Sequence, residues 1–213
     1  FARLSAGNFP EFSEETGYPA GELSFAQPDG NDLALEILQY DLPIGKNTNV
    51  LISATGGAAD DVADTVNIFD GDGGEGAISA FGTRNPIYYP PDGAGIGVTH
   101  RLGEKIELAG AYLAGDANDP TEGNGLFNGE YSALGQITFK PTDKIKVAAT
   151  YVHSYNQSDT GTGSNLSNLQ SITESLTDDP TTDDEDGVAV PTSTNSYGVG
   201  ASWAISDRIV IGG

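Results

Sequence analysis

Segments of residue-by-residue apolar alternation run along this chain between two kinds of connection: four very short turns and three long, polar, acidic stretches. Successive side chains of a strand point to opposite faces, so such alternation predicts β-strands with one apolar face. The short turns read Ile44-Gly45-Lys46-Asn47-Thr48-Asn49-Val50, Leu102-Gly103-Glu104-Lys105-Ile106, Pro141-Thr142-Asp143-Lys144-Ile145 and Ile205-Ser206-Asp207-Arg208-Ile209. In the last three, a small residue, an acid and a base precede an Ile that restarts the alternation. Small and Asx-type residues favour tight hairpins. The turns then place strands at Phe1–Asn8, Leu33–Leu42, Asn49–Gly56, Ala94–Arg101, Ile106–Ala114, Gly129–Lys140, Ile145–Tyr155 and Ser196–Ile205, with a further one starting at Ile209. A short extended piece is expected at Glu22–Ala26. The fold class is all-β and antiparallel.

The faces are clearest in the second half. Tyr131, Ala133, Gly135, Ile137 and Phe139 share one face, and Glu130, Ser132, Gln136 and Thr138 the other, with Leu134 out of place. Ile145, Val147, Ala149 and Tyr151 oppose Lys146, Ala148, Thr150 and Val152. Tyr197, Val199, Ala201, Trp203 and Ile205 oppose Ser196, Gly198, Gly200, Ser202 and Ala204. In a soluble sandwich the apolar face would be core. In a transmembrane β-barrel it would meet lipid, and the small, polar face a wet lumen.

Aromatic placement favours the barrel. Tyr112, Tyr131, Tyr151, Tyr155 and Tyr197 fall near the long stretches, and Tyr40, Phe139 and Trp203 near the short turns. Two aromatic bands are what membrane interfaces select, since each ring has an apolar body and a wet edge. The long connections, 57–93, 115–128 and 156–195, would be loops at one rim. Compact soluble domains rarely keep connections of such length. The third is rich in Ser, Thr, Gly and Asp and reads as a mobile tip.

Composition narrows the function. The chain has 213 residues, no Cys, no Met and a formal net charge of −22 from 9 Lys+Arg against 31 Asp+Glu. Without Cys there is no disulfide framework, thiolate metal site or cysteine nucleophile. A surface this acidic excludes phosphate-reading nucleic-acid binding and draws cations. No apolar run reaches the roughly 20 residues of a membrane helix, a test that alternating barrel strands escape.

Candidate chemistry is sparse. Asp70-Gly71-Asp72-Gly73-Gly74-Glu75-Gly76 invites a calcium reading, but Gly74 and Glu75 break the EF-hand spacing, and a solvated acidic loop is the plainer reading. Asp178, Asp179, Asp183, Asp184, Glu185 and Asp186 form a self-repelling run that would also enrich cations at a pore mouth. His100 and His153 have no companions at ligand spacing. Gly93-Ala94-Gly95-Ile96-Gly97 misses the dinucleotide fingerprint, and no Ser sits in a nucleophile elbow. Asn156-Gln157-Ser158 and Asn165-Leu166-Ser167 are formal glycosylation sequons only. No enzymatic constellation, cofactor site or metal site is expected. The candidate pore-lining residues are Arg84, Glu130, Gln136, Thr138, Lys146 and Thr150. Arg84 stands in the first long loop, where an inward fold would set it against loop carboxylates at a constriction.

The stretch Gly125-Leu126-Phe127-Asn128-Gly129-Glu130-Tyr131-Ser132-Ala133-Leu134-Gly135-Gln136-Ile137-Thr138-Phe139-Lys140-Pro141-Thr142-Asp143-Lys144 resembles the cyanobacterial outer-membrane porins. So do Gly7-Asn8-Phe9-Pro10 with Thr16-Gly17, and Asn195-Ser196-Tyr197-Gly198-Val199 leading to Ser202-Trp203-Ala204-Ile205-Ser206-Asp207. These proteins are often labelled iron-uptake porins, within the carbohydrate-selective (OprB-like) superfamily. The resemblance implies a wall-binding domain, a coiled-coil spacer and a trimeric barrel of roughly 14–16 strands, the size of an aqueous channel. This chain carries about half those strands and neither accessory region, and is expected to be one internal portion, 1–213, of such a barrel. The resemblance further implies a passive channel in a cyanobacterial, Gram-negative-type outer membrane for small hydrophilic solutes and inorganic ions, iron among them. The acidic loops would make it favour cations. Its partners would be the lipid bilayer with its lipopolysaccharide, small solutes and cations, and the other copies of a homotrimer. Two rivals remain: a small structural or adhesion barrel with a side-chain-filled lumen, and a soluble acidic carbohydrate-binding β-sandwich. Gly198, Gly200 and Ala204 on the polar face argue against a filled lumen.

Overall fold

The computed structural model describes residues 1–7, 31–70, 76–77, 80–156 and 192–213. The expected extended piece at Glu22–Ala26, the Asp178–Asp186 run, the Asn165 sequon and most of the Asp70–Gly76 segment lie outside them. The strands are β1 (Ala2–Ser5), β2 (Ala34–Ile44), β3 (Thr48–Ala58), β4 (Asp92–Leu102), β5 (Ile106–Ala114), β6 (Tyr131–Thr142), β7 (Ile145–Tyr155), β8 (Ser193–Ser206) and β9 (Ile209–Gly212). They form one nine-stranded sheet in strict chain order, every neighbouring pair antiparallel. Among the described residues β1 pairs with β2 alone and β9 with β8 alone. A meander of this kind is part of a β-barrel wall. Among the described residues there is no second sheet to face, so the sandwich rival falls.

The hairpins lie where the turn residues put them. Gly45 and Gly103 take left-handed φ of 68° and 67°. Nothing crowds either position, so the backbone angle and not space selects glycine there. Strand ends differ from the alternation reading by a few residues at most: β8 begins at Ser193 rather than Ser196, and β6 runs on to Thr142.

The sheet is inside out relative to a soluble protein. On β6 the polar residues Gln136 and Thr138 are 5% and 1% exposed, whereas Ile137 and Phe139 stand 47% and 45% exposed. Across the sheet Tyr40, Ile52, Ile96, Val98, Leu108, Val147, Tyr151, Val199 and Trp203 continue that uncovered apolar side. Near the long connections the rings on it touch: Tyr112 stacks on Tyr131 at 5.2 Å and Tyr131 on Tyr155 at 5.8 Å, while Tyr151 meets Tyr197 at 5.2 Å. A monomeric soluble protein rarely exposes so continuous an apolar patch.

The described residues of the 59–91 connection, hereafter the strap, lie across the opposite, polar face. It carries a 3₁₀ turn at Ala59–Asp61, a helical turn at Ala80–Thr83 and a 3₁₀ turn at Pro86–Tyr88. Asp61 reaches Gln39 on β2, and Val66 lies against Gly200 on β8. Five residue steps supply at most about 18 Å of chain. Six strand spacings on a flat sheet come to about 29 Å. Side-chain reach and curvature of the sheet toward the strap make up the difference.

The inverted faces predict an unusual mutant. Ile137→Lys in the full-length protein should cost about 2–4 kcal/mol when folding is measured in lipid vesicles, because the charge would enter hydrocarbon near mid-strand. A cost within about 0.5 kcal/mol, normal for an exposed position of a soluble protein, would contradict a lipid-facing side.

Candidate functional site

The strap is seated on a row of apolar residues that breaks the polar pattern of the inner face. Strand register puts Leu51, Gly97, Ala111, Leu134 and Val152 side by side across β3 to β7. Leu51, Ala111, Leu134 and Val152 form one buried cluster with Val62, Ala63, Ile87 and Tyr88 of the strap. Leu134, anomalous on a face of Ser132, Gln136 and Thr138, is thus part of the strap's seat. Glycines complete it. A Cβ on Gly97 would come within 2.2 Å of Val62, one on Gly200 within 2.8 Å of Val66, and one on Gly198 within 3.1 Å of Ile87. The small residues of β8 make room for the strap, and with it part of the inner space is filled after all.

Next to this seat runs a polar row, Thr99, Ala109, Gln136, Thr150 and Gly198. The Asn85-Pro86 sequence builds the contact to it. Asn85 Oδ1 accepts the Ile87 N–H at 3.0 Å, and Pro86 supplies the fixed φ of the first turn residue. The tight turn aims Ile87 and Tyr88 at the sheet. Tyr88 Oη donates to Gln136 Oε1 at 2.7 Å and lies 3.2 Å from Thr150 Oγ1. Thr150 donates to the same Gln136 oxygen at 2.7 Å. Gln136 Nε2 donates to the Asp64 carbonyl at 2.7 Å and to Thr138 Oγ1 at 3.0 Å. Thr99 Oγ1 donates to the Val62 carbonyl at 2.8 Å. Buried polar groups are costly unless paired, and this network pairs wall to strap.

Charges fasten the same segment. Lys146 Nζ donates to Asp64 Oδ2 at 2.7 Å, and Lys140 lies 3.7 Å from it. Lys140 and Arg101 also face Glu107 at 3.5 and 3.3 Å. Burial raises the Asp64 pKa, but the Lys146 hydrogen bond, the Val66 N–H and both lysines outweigh it and hold the carboxyl below its usual range. Asp64 Oδ1 accepts the Val66 N–H at 2.9 Å, and Val66 has φ 52°, a strained angle for a β-branched residue. Arg84 pairs with Asp60 and, at 2.7 Å, with Asp70, and its guanidinium lies 5.8 Å from the Tyr89 ring centre. Burial would lower its pKa, but the two carboxylates raise it. Asp60 goes the other way: burial outweighs Arg84 and raises its pKa.

Of the candidate residues, Gln136, Thr138 and Thr150 therefore meet in one network, Lys146 joins it through Asp64, and Arg84 belongs to the strap itself. The acids that face Arg84, Asp60 and Asp70, are strap residues too, so its charge is balanced locally. Glu130 stands apart in the connection just before β6, where burial and then Asp116 and Asp92 raise its pKa. Tyr88, Asp64 and the apolar seat escaped the sequence reading. The Asn-Pro turn before Tyr88 was a usable signal; nothing in the pattern marks Asp64. His100 bonds Thr48 at 2.8 Å and His153 bonds Asn195 at 3.1 Å. Among the described residues no group of three or more His, Cys, Asp or Glu is placed to hold a metal ion.

Two variants test this construction. Gly97→Val should cost about 1–3 kcal/mol, the usual penalty of overpacking, and should speed limited proteolysis of the strap. Acidification should release the strap in one stage. Asp64 contributes stability that is complete above 3.8 and lost only as pH falls through its lowered value. Asp60 does not drive release, because its raised pKa makes proton uptake favour the folded chain. Hydrogen exchange of strap amides in the full-length protein should show one pH-dependent opening below 3.8, and Asp64→Asn should make that opening independent of pH.

Comparison with known proteins bears on what this wall belongs to. The model of the carbohydrate-selective porin family, OprB, matches residues 2–213. An uncharacterized protein of Nostoc sp. (strain PCC 7120) is 32% identical over 240 residues, covering 99% of this chain and 39% of that protein. An uncharacterized protein of Synechocystis sp. (strain PCC 6803) is 31% identical over 154 residues, covering 72% of this chain and 28% of that protein. The chain thus spans well under half the length of either relative. No solved structure matches.

Proposed function

Because the chain belongs to the carbohydrate-selective porin family OprB, we propose that it forms part of the wall, and the constriction, of a passive outer-membrane channel for small hydrophilic solutes. The observation that carries this reading is the inversion of the sheet: apolar residues uncovered outside, polar residues inside beneath an inward strap. An inward loop across the polar wall is the means by which a wide barrel is narrowed to a selective opening. Residues 1–213 would be one portion of a larger barrel, completed by strands elsewhere in the full-length protein. Lys146 and Arg84 would bound the constriction, Gln136, Thr138 and Thr150 would hold the strap from beneath, and Glu130 would stand at the long-loop rim. The partners are the bilayer with its lipopolysaccharide, the permeating solutes and the other copies of a homotrimer.

Two opposing features set the charge preference. The net charge of −22 enriches cations at the mouth. Arg101, Lys140 and Lys146 stand nearer the short turns, balanced in part by Glu107 and Asp64. The outcome is a channel leaning toward cations on this charge balance and admitting carbohydrates, the solute class that the family description names. Iron would pass as one cation among others, since no residue here singles it out. Catalysis has no part in this reading.

The test is single-channel conductance of the full-length protein in a planar bilayer under a salt gradient, with sugar uptake into vesicles alongside. Discrete steps, a modestly cation-selective reversal potential and sugar flux are expected. Lys146→Met should loosen the strap and broaden the conductance distribution. Inserted protein that conducts nothing would favour the filled structural barrel instead.

A further inference from the structure

A cleft of about 780 Å³ opens among residues of the uncovered apolar side at its long-loop end. That volume lies within the range of about 300–1,000 Å³ typical of small-molecule sites. It sits where the sheet is least regular. The β3–β4 ladder is interrupted between Ser53 and Gly57, and Ala54 is exposed there. Opposite it on β4, Gly93 and Gly95 line the cleft, and a Cβ on either would come within 2.2 or 2.0 Å of a β5 carbonyl, so the irregular backbone admits only glycine there. The walls are tall: Ile96 and Tyr112 from the sheet, and Leu126 and Phe127 from the 115–130 connection. That connection folds back onto the ring. Tyr112 Oη donates to the Leu126 carbonyl at 2.7 Å, and Phe127 lies 5.9 Å from the Tyr112 ring centre. The tyrosine hydroxyl is thereby satisfied and its ring fixed. Phe127 nevertheless remains 75% exposed, a large ring held out beside an empty trough.

From this geometry we infer that the cleft is a docking site for a hydrocarbon chain of a bilayer lipid, bound at the long-loop rim. The inference rests on the proposed lipid-facing side. Two features select the occupant. No charged residue lines the cleft, and beside Tyr112 its polar side chains are only Ser53, Thr55 and Asn118, so it holds no cation to pair with a headgroup phosphate. Ile96, one of its walls, belongs to the same uncovered apolar side as Ile52 and Leu108, so a chain in the adjoining lipid enters without crossing a polar border. Burying the chain against Tyr112 and Phe127 would also cover the most exposed ring of the 115–130 connection.

The experiment uses the full-length protein in phosphatidylcholine vesicles doped with a phosphatidylcholine that carries a diazirine in mid-acyl chain. After irradiation, lipid adducts are mapped by mass spectrometry. Adducts should be severalfold denser on Tyr112, Leu126 and Phe127 than on Ile137 and Val147 of the open side. Ala54→Trp, at an exposed position where bulk is tolerated, should fill the trough and reduce the cleft adducts severalfold, leaving those at Ile137 and Val147 unchanged. Equal adduct density at cleft and open side, or no response to Ala54→Trp, would overturn the docking site and keep the lipid-facing side. A cleft without adducts at high protein-to-lipid ratio that becomes labelled only on dilution of the protein would overturn it in favour of a second copy. Absence of adducts from both regions would remove the lipid-facing side, and the channel reading with it.

Discussion

The strap rests on one break in a pattern. A wall facing water and small solutes should be polar throughout, yet this inner face carries the row Leu51, Ala111, Leu134 and Val152, with Gly97 between. That row gives the inner space an apolar seat, and the strap supplies Val62, Ala63, Ile87 and Tyr88 to fill it. Burial of those side chains is non-directional and sets only that the strap comes inward. The hydrogen bonds of Tyr88, Gln136 and Thr150, and the Asp64–Lys146 pair, then set where it stops. Apolar contact gives adhesion and polar contact gives register, as in an ordinary protein core, but here the core is made between a wall and a loop.

The same economy explains the two sides of the sheet. In lipid, backbone groups have to be satisfied within the protein, which the antiparallel ladder does along most of its length. The outer side chains then need no protein partner, so Ile137, Phe139 and Trp203 are left uncovered. Polar groups are gathered inside, where Gln136, Thr150 and Lys146 find hydrogen bonds or an ion pair with the strap. The glycines of β4 and β8 serve this arrangement by lowering the wall where Val62, Val66 and Ile87 approach. Charge follows the same division: Arg84 is balanced by acids of its own strap, whereas Asp64 ties the strap to lysines of the wall.

Alternation with period two, the repeated small-acid-base-Ile turns and the Tyr positions were enough to specify an antiparallel meander, its hairpins and its two faces. These are local properties: each depends on residues a few positions apart, and a one-residue slip would send every side chain to the wrong side. The polarity of the barrel was legible as well, because the aromatic bands fall at strand ends. The placement of the strap was not local. Leu134 read as an error in the pattern because its partners, Val62 and Ile87, lie some fifty to seventy residues away in sequence, and no periodicity connects them. Gly198 and Gly200 read as signs of open space for the same reason, while the folded chain uses them to admit Ile87 and Val66. Asp64 had no distinguishing neighbours at all, and Tyr88 had only the Asn85-Pro86 turn before it. Local patterning determined the wall; only tertiary packing, which joins distant apolar and polar rows through one loop, decided what stands in front of it.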